Sequence, residues 1–281
     1  RRIDAHGVTL LCGAPAVVNS ILDAAQTWHG PIPGRDRVRM VVAGAPPPTK
    51  TIERMESELG WEFIQIYGLT ESSPFLTMNR TRAEFDELSP AERAQRLSRA
   101  GAPAIGVEMR ISEQGEVLAR SNVIMAGYWN QPDATADAIH PASDDAGGVE
   151  WFHTGDGGII DDDHYVTISD RKKDVIITGG ENVSTIEVED VLFSHPAVAE
   201  VAVIGVPSEK WGETIKALVV LADGASATEE ELIAWCKDKA AGYKAPTSVE
   251  FRDELARTAT GKLQKFKLRA PYWEGFTRQV N

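Results

Sequence analysis

Five consecutive charged residues, Asp170-Arg171-Lys172-Lys173-Asp174, stand between two apolar runs, Tyr165 to Ser169 and Val175 to Ile177. A dense charge cluster between two buried runs suggests that the chain surfaces between them. That constraint predicts a joint: a hinge between two domains that share one active site. The joint lies inside a longer connector from Thr154 to Asn182. At its start, Thr154-Gly155-Asp156 sets a carboxylate beside a glycine, where backbone can come close to a ligand. At its end, Thr178-Gly179-Gly180-Glu181-Asn182 offers a surface free of side chains just ahead of a helix.

The 281 residues fit about two domains of ~100–200 residues each. Hydrophobic residues make up 42% and charged residues 25%, an ordinary globular balance. A net charge of −13 would repel a phosphate backbone, so nucleic acid is excluded as a partner. A nucleotide is not, because local donors and a metal ion decide its binding. No run approaches the ~18 apolar residues of a membrane span. The two cysteines, Cys12 and Cys236, form no metal-ligand spacing, and a reduced cytoplasmic protein is expected. The chain opens on Arg1 and reads from its first residues like the middle of a domain, so it is expected to be the C-terminal part of something longer.

The first hundred residues alternate in period. Val17, Val18, Ile21, Leu22 and Ala25 have helix spacing, and Val38 to Ala43 reads as a buried strand. A helix is predicted from Thr49 to Leu59, with Ile52, Met55 and Leu59 on one face and Gly60 as its stop. Phe63 to Tyr67 is the next strand. Strand, helix, strand at this spacing is an α/β unit with parallel pairing, whose functional loops gather beyond the carboxyl ends of the strands. Gly44-Ala45-Pro46 and Tyr67-Gly68-Leu69-Thr70-Glu71 sit there. Residues 80–99 read as a polar helical excursion with Ser89 and Pro90 inside it. Residues 101–170 read as β-rich, with one hairpin turning at Glu113-Gln114-Gly115 and another at Asp161-Asp162-Asp163. Beyond the joint, capping boxes are predicted at Ser184–Glu187 and Thr228–Glu231, and Val198 to Val206, Ile215 to Leu221 and Val249 to Phe251 read as strands.

Six pieces then resemble one family in its order and spacing. They are Tyr67-Gly68-Leu69-Thr70-Glu71; Gly115-Glu116-Val117 through Gly127-Tyr128-Trp129-Asn130; Thr154-Gly155-Asp156; Asp170-Arg171-Lys172-Lys173-Asp174; Gly179-Gly180-Glu181-Asn182 with Glu187 and Glu189; and Thr260-Gly261-Lys262. The chain from about residue 38 to 270 resembles the C-terminal portion of the acyl- and aryl-CoA synthetases of the adenylate-forming (AMP-binding) superfamily. The resemblance implies the end of a large α/β adenylation domain (1–100) with a small β-rich subdomain (101–170). A hinge (171–173) and a mobile, small α+β C-terminal domain (174–281) follow. The family's Ser/Thr/Gly-rich phosphate loop is not among these residues; in the family it lies upstream.

The implied reaction has two halves. A carboxylate attacks the α-phosphate of ATP, giving an acyl-adenylate and pyrophosphate; the thiol of coenzyme A then displaces AMP. By resemblance, Glu71 is the Mg²⁺ ligand and Thr70 bonds the α-phosphate. Tyr67 lies against adenine, and Gly44, Ala45 and Pro46 form the backbone turn that receives it. Asp156 accepts from both ribose hydroxyls, as a bidentate carboxylate can, and Arg171 is a second ribose or phosphate contact. Lys262 reaches the carboxylate and the α-phosphate and offsets the developing charge. Lys173 is the hinge residue that absorbs a backbone rotation. Gly179 and Gly180 let the pantetheine arm pass, and Trp211 lines the passage. His153 is read as a packing residue.

Two other readings share these residues: an adenylating domain that loads a carrier protein, and a non-catalytic fragment that lacks the phosphate loop. A small-molecule carboxylic acid is the expected partner, no membrane span is expected, and a homodimer is compatible with the sequence.

Overall fold

The computed structural model describes residues 2–144, 147–258 and 261–276. The chain divides into two compact units, Arg1–Ile168 and Ser169–Asn281.

The first unit opens with a short helix, α1 (Arg2–Ala5), and a sheet of five strands in sequential order. They are β1 (Leu10–Gly13), β2 (Arg39–Val42), β3 (Glu62–Tyr67), β4 (Thr77–Arg80) and β5 (Ala102–Pro103). β1, β2 and β3 are parallel, and β4 and β5 return antiparallel. Parallel neighbours need crossovers, supplied by α2 (Pro15–Gln26) and α3 (Thr49–Arg54). α3 continues through a π-turn, Met55–Leu59, and stops at Gly60 in the left-handed conformation. Val18 and Leu22 of α2, Ile52 of α3 and Met55 and Leu59 of its π-turn pack with Met40, Val42 and Phe63 of the strands.

The 80–99 excursion differs from its sequence reading. Ser89 and Pro90 do not lie inside a helix; they begin one, α4 (Pro90–Leu97). Ser89 caps it in a full capping box with Glu92, and proline fits the first turn because no intrahelical N–H donor is needed there.

A second sheet is β-rich, as read: β6 (Glu108–Ile111), β7 (Glu116–Arg120), β8 (Ile139–Pro141), β9 (Glu150–Ile160) and β10 (Val166–Arg171). Helix α5 (Pro132–Ala138) precedes β8. Val117 and Val166 form its small core with Ala100, and Tyr67 packs against that core from the end of β3.

The second unit is a sheet with the path β12-β11-β14-β13 and β15 parallel to β14. The strands are β11 (Ile176–Thr178), β12 (Glu181–Val183), β13 (Val198–Ser208), β14 (Gly212–Leu221) and β15 (Ser248–Phe251). Both faces of β13 and β14 are apolar, with alternate residues serving two cores. Val201, Val203, Ile215, Ala217 and Val219 pack under α6 (Thr185–Phe193) and α7 (Glu229–Lys239). Ala202, Ile204, Val206 and Leu218 face the other way, toward Leu255, Leu263, Leu268 and Tyr272. That second layer includes α8 (Lys265–Arg269).

One capping expectation is corrected. Thr228 and Glu231 form the full box, but at Ser184 only half of it exists. Ser184 accepts from the Glu187 amide, whereas the Glu187 carboxylate binds Lys244 Nζ at 2.7 Å. A lysine brought close by the fold outcompetes the local amide. Among the described residues, no helix is long and apolar enough to cross a membrane.

Candidate active site

The loops after β2 and β3 leave the same edge of the first sheet, because the strands are parallel and Val42 pairs with Gln65. Gly44, Ala45 and Pro46 occupy the first loop. Gly44 has φ +91° and open space where a Cβ would stand. The second loop turns at Gly68. A Cβ there would lie 2.3 Å from the Pro74 carbonyl oxygen and 2.4 Å from Phe75 Cα, so no other residue fits. Ser72 accepts from the Leu69 amide at 2.9 Å and donates to the Leu69 carbonyl at 3.0 Å, closing the Thr70–Ser72 turn. Thr70 is exposed on it and Glu71 is half-buried.

Two of the sequence-derived residues meet directly. Tyr67 Oη donates to Asp156 Oδ2 at 2.8 Å. Glu71 is held by a residue whose role the sequence reading did not assign: Tyr128 Oη donates to Glu71 Oε1 at 2.8 Å. Burial first, and then the bond to Glu71, raises the Tyr128 phenol above its ordinary pKa, so it remains a donor at neutral pH. The Met125 amide also donates to the Glu71 carbonyl at 2.8 Å. The Gly127-Tyr128-Trp129-Asn130 segment is thus bound to the Thr70-Glu71 turn at a side chain, and Met125 binds it at the backbone.

Asp156 is held from its own strand as well. Its amide donates to Thr154 Oγ1 at 3.2 Å, and Thr154 Oγ1 donates to the Val117 carbonyl at 2.8 Å. The Gly155 amide donates to Glu116 Oε1 at 2.9 Å, and His153 Nδ1 lies 3.1 Å from Glu116 Oε2. Glu116 is 7% exposed, a buried carboxylate that fixes the irregular stretch of β9 beside Asp156. The sequence signal for it was the Gly115-Glu116-Val117 piece, to which no role was attached. His153 stacks on His140, with ring centroids 3.7 Å apart.

In the second unit, Gly179 (φ +59°) meets Trp211. A Cβ on Gly179 would lie 2.9 Å from the indole Cε3, and the Gly179 amide donates to the Trp211 carbonyl at 3.1 Å. Trp211 is 48% exposed, and Lys210 Nζ lies 4.4 Å from its ring centroid. Gly180 is exposed, with φ +89° and open space where a Cβ would stand. Lys262 is exposed on a tight loop. Its amide donates to Thr258 Oγ1 at 3.0 Å, its carbonyl accepts from the Thr258 amide at 2.8 Å, and Arg257 donates to the Gly261 carbonyl at 2.7 Å. Thr260, part of the same motif, lies outside the described residues. Arg171 is half-buried, its amide donating to Asp170 Oδ1 at 2.9 Å. Lys173 is exposed, and its carbonyl accepts from Arg269 at 3.3 Å.

Residues 1–129 match the family model of the AMP-binding enzymes, and residues 187–262 match that of the AMP-binding enzyme C-terminal domain. The chain belongs to the AMP-binding enzyme family. This AMP-binding enzyme chain is 41% identical, over 95% of its length, to the 2-methylpropanoate–CoA ligase of Humulus lupulus, and covers 49% of that protein. It is 37% identical to 4-hydroxybutyrate–CoA ligase 2 of Metallosphaera sedula, over 96% of this chain and 49% of the relative. Among solved structures, ATP-bound MatB from Rhodopseudomonas palustris matches with a TM-score of 0.78 at 29% identity, over 96% of this chain and 52% of that one. An anthranilate CoA ligase in complex with anthranoyl-AMP matches at 0.80 and 28%, over 96% and 51%. The chain spans about half the length of the curated relatives it matches. Its fold class is the end of a large α/β adenylation domain with a small β-rich subdomain, followed by a small α+β C-terminal domain.

Proposed function

We propose that this chain is part of an ATP-dependent carboxylic acid:CoA ligase that forms an acyl-adenylate and then an acyl-CoA thioester. The observation that carries this reading is the Tyr67–Asp156 hydrogen bond. It sets an aromatic ring and a buried carboxylate side by side at the carboxyl edge of a parallel sheet, where α/β proteins bind nucleotides. The ring offers adenine a flat face and the carboxylate accepts ribose hydroxyls. Gly44, Ala45 and Pro46 supply the backbone turn toward the base, and Arg171 a further nucleotide contact. Thr70 donates to the α-phosphate.

Among the described residues, no group of three or more His, Cys, Asp or Glu is arranged to hold a metal ion. Glu71 alone fits Mg²⁺, a hard cation that is bound by one or two carboxylates and keeps phosphate oxygens and water as its other ligands. When bound there, the ion would neutralise phosphate charge.

Lys262, on its fixed loop, brings an ammonium to the charge that develops as the acid attacks the α-phosphate. Lys173 is the pivot at the boundary between a β-rich subdomain (101–170) and the C-terminal domain (174–281). Gly179, Gly180 and Trp211 serve coenzyme A in the second half-reaction. The names of the relatives support coenzyme A as the acceptor. We place the enzyme in fatty- or aryl-acid metabolism in the cytoplasm, and a homodimer is compatible with the sequence. The name of one Arabidopsis thaliana relative, 40% identical, carries the term peroxisomal, and cell fractionation decides between the two compartments.

The test is acid-dependent exchange of labelled pyrophosphate into ATP. It is run on this chain and on a version carrying any residues encoded upstream, with acids from butyrate to dodecanoate plus benzoate and cinnamate. Exchange with at least one acid supports the ligase; none from either version overturns it.

A further inference from the structure

The second unit buries a set of charges that the reaction does not use. Lys265 Nζ lies 2.7 Å from Glu189 Oε1 and also donates to Thr185 Oγ1. Thr185 Oγ1 donates in turn to Asp170 Oδ2 at 2.6 Å, and the Thr185 amide donates to the same oxygen at 2.7 Å. Glu189 Oε1 accepts the Val203 amide at 2.7 Å. Asp170 is 2% exposed and Thr185 fully buried. Burial pulls the Lys265 ammonium down, but Glu189 and Asp170 more than offset it, so it stays charged above the ordinary lysine range. One turn further along α8, Arg269 Nη1 lies 3.3 Å from Asp174 Oδ1 and donates to the Lys173 carbonyl at 3.3 Å.

Lys265 and Arg269 are four residues apart and so share one helix face. Lys265 is linked through Thr185 to the residue before Arg171-Lys172-Lys173, and Arg269 binds the residue after it. Both sit a few residues beyond Lys262. Isolated surface pairs hold little, but a buried hydrogen-bonded set fixes geometry, because losing one partner strands a charge.

We propose that Lys265 is a positioning residue. With Arg269 it clasps both ends of the 170–174 segment, so that the Lys262 loop and the joint behave as one body. The clasp spans Lys173, so a rotation there must first release Asp170 from Thr185 and Lys265, and until then the Lys262 loop cannot drift from the joint on its own. The catalytic part of this inference rests on the proposed function; the mechanical part does not.

Amide hydrogen exchange tests the mechanical part on the whole chain. In Lys265→Met, exchange of the amides in 170–175 and in 261–269 rises together, by about a hundredfold, since breaking a buried pair opens the region it held. Amides of β13 and β14 stay protected, and Lys267→Met, on the exposed face of α8, changes neither segment. Loosening of 261–269 alone, or no loosening, overturns the clasp. Where Lys265→Met does not fold, Arg269→Gln carries the same test with the same paired outcome. The catalytic part is read on a protein that shows wild-type pyrophosphate exchange. Lys265→Met there lowers kcat for exchange with an unchanged KM for ATP, while thioester formation from supplied acyl-adenylate persists. Equal loss of both steps makes Lys265 merely structural. A wild type without exchange overturns the ligase reading and leaves the hydrogen-exchange result standing.

Discussion

The phenol of Tyr67 and the carboxylate of Asp156, 89 residues apart in sequence, share a 2.8 Å hydrogen bond. The bond ties the last residue of a parallel strand to the middle of β9 in a second sheet. Tyr67→Phe keeps the ring and removes the donor to a buried acceptor, which costs about 1–3 kcal/mol. Urea denaturation should show that loss. An unchanged midpoint would mean that the bond contributes nothing to stability.

Glu116 gives a graded comparison. Its two oxygens serve the Gly155 amide and His153. Glu116→Ala orphans the amide beside Asp156 and should lower stability by about 1–3 kcal/mol, while Glu116→Gln keeps one acceptor and should lose less. Because glutamine matches glutamate in size, equal losses from the two variants would show that the retained acceptor contributes nothing and that the charge carries the effect.

Lys262→Ala should abolish pyrophosphate exchange and spare thioester formation from supplied acyl-adenylate. The loop is tied by backbone bonds and by Arg257, so the truncation should leave the melting temperature unchanged. Equal loss of both half-reactions would refute the role given to Lys262.

The two thiols should differ in reactivity. Cys12 is exposed, whereas burial first and Glu187 second push the Cys236 thiol up to about 11. Iodoacetamide at pH 8 should alkylate Cys12 alone in the folded chain and both cysteines in urea. Mass spectrometry that finds Cys236 labelled at the same rate as Cys12 would contradict this packing.

Asp161 supplies a pH dependence. Burial raises its carboxyl, but the Tyr165 amide and Arg99, at 2.7 Å, outweigh burial and hold it below the ordinary value. A depressed carboxylate stabilises the fold above its unfolded pKa of about 3.9, and that contribution fades as pH falls through the folded value. Arg99→Met should therefore lower the melting temperature at pH 6. The difference from wild type should shrink toward pH 3. A constant gap across that range would assign the effect to lost packing of Arg99 on the Tyr165 ring, where the guanidinium lies 4.0 Å from the ring centroid.

What the sequence showed followed from local physics. The α/β alternation before Tyr67, the stop at Gly60 and the Thr228–Glu231 box depend on residues a few positions apart. The residues that escaped it are charges whose burial depends on distant partners. Lys265 reads as one basic residue on a solvated tail until Thr185 and Glu189 surround it. Glu187 reads as half of a cap until Lys244, 57 residues on, takes its carboxylate.

The two-faced sheet of the second unit bears on how that unit can be excised. The family match ends at Lys262, yet Leu263, Leu268 and Tyr272 cover the Ile204 and Leu218 side of the strands. A recombinant piece cut at residue 262 would keep the motif lysine and strip the roof from half of its core. Such a piece should precipitate where one ending beyond Tyr272 stays in solution.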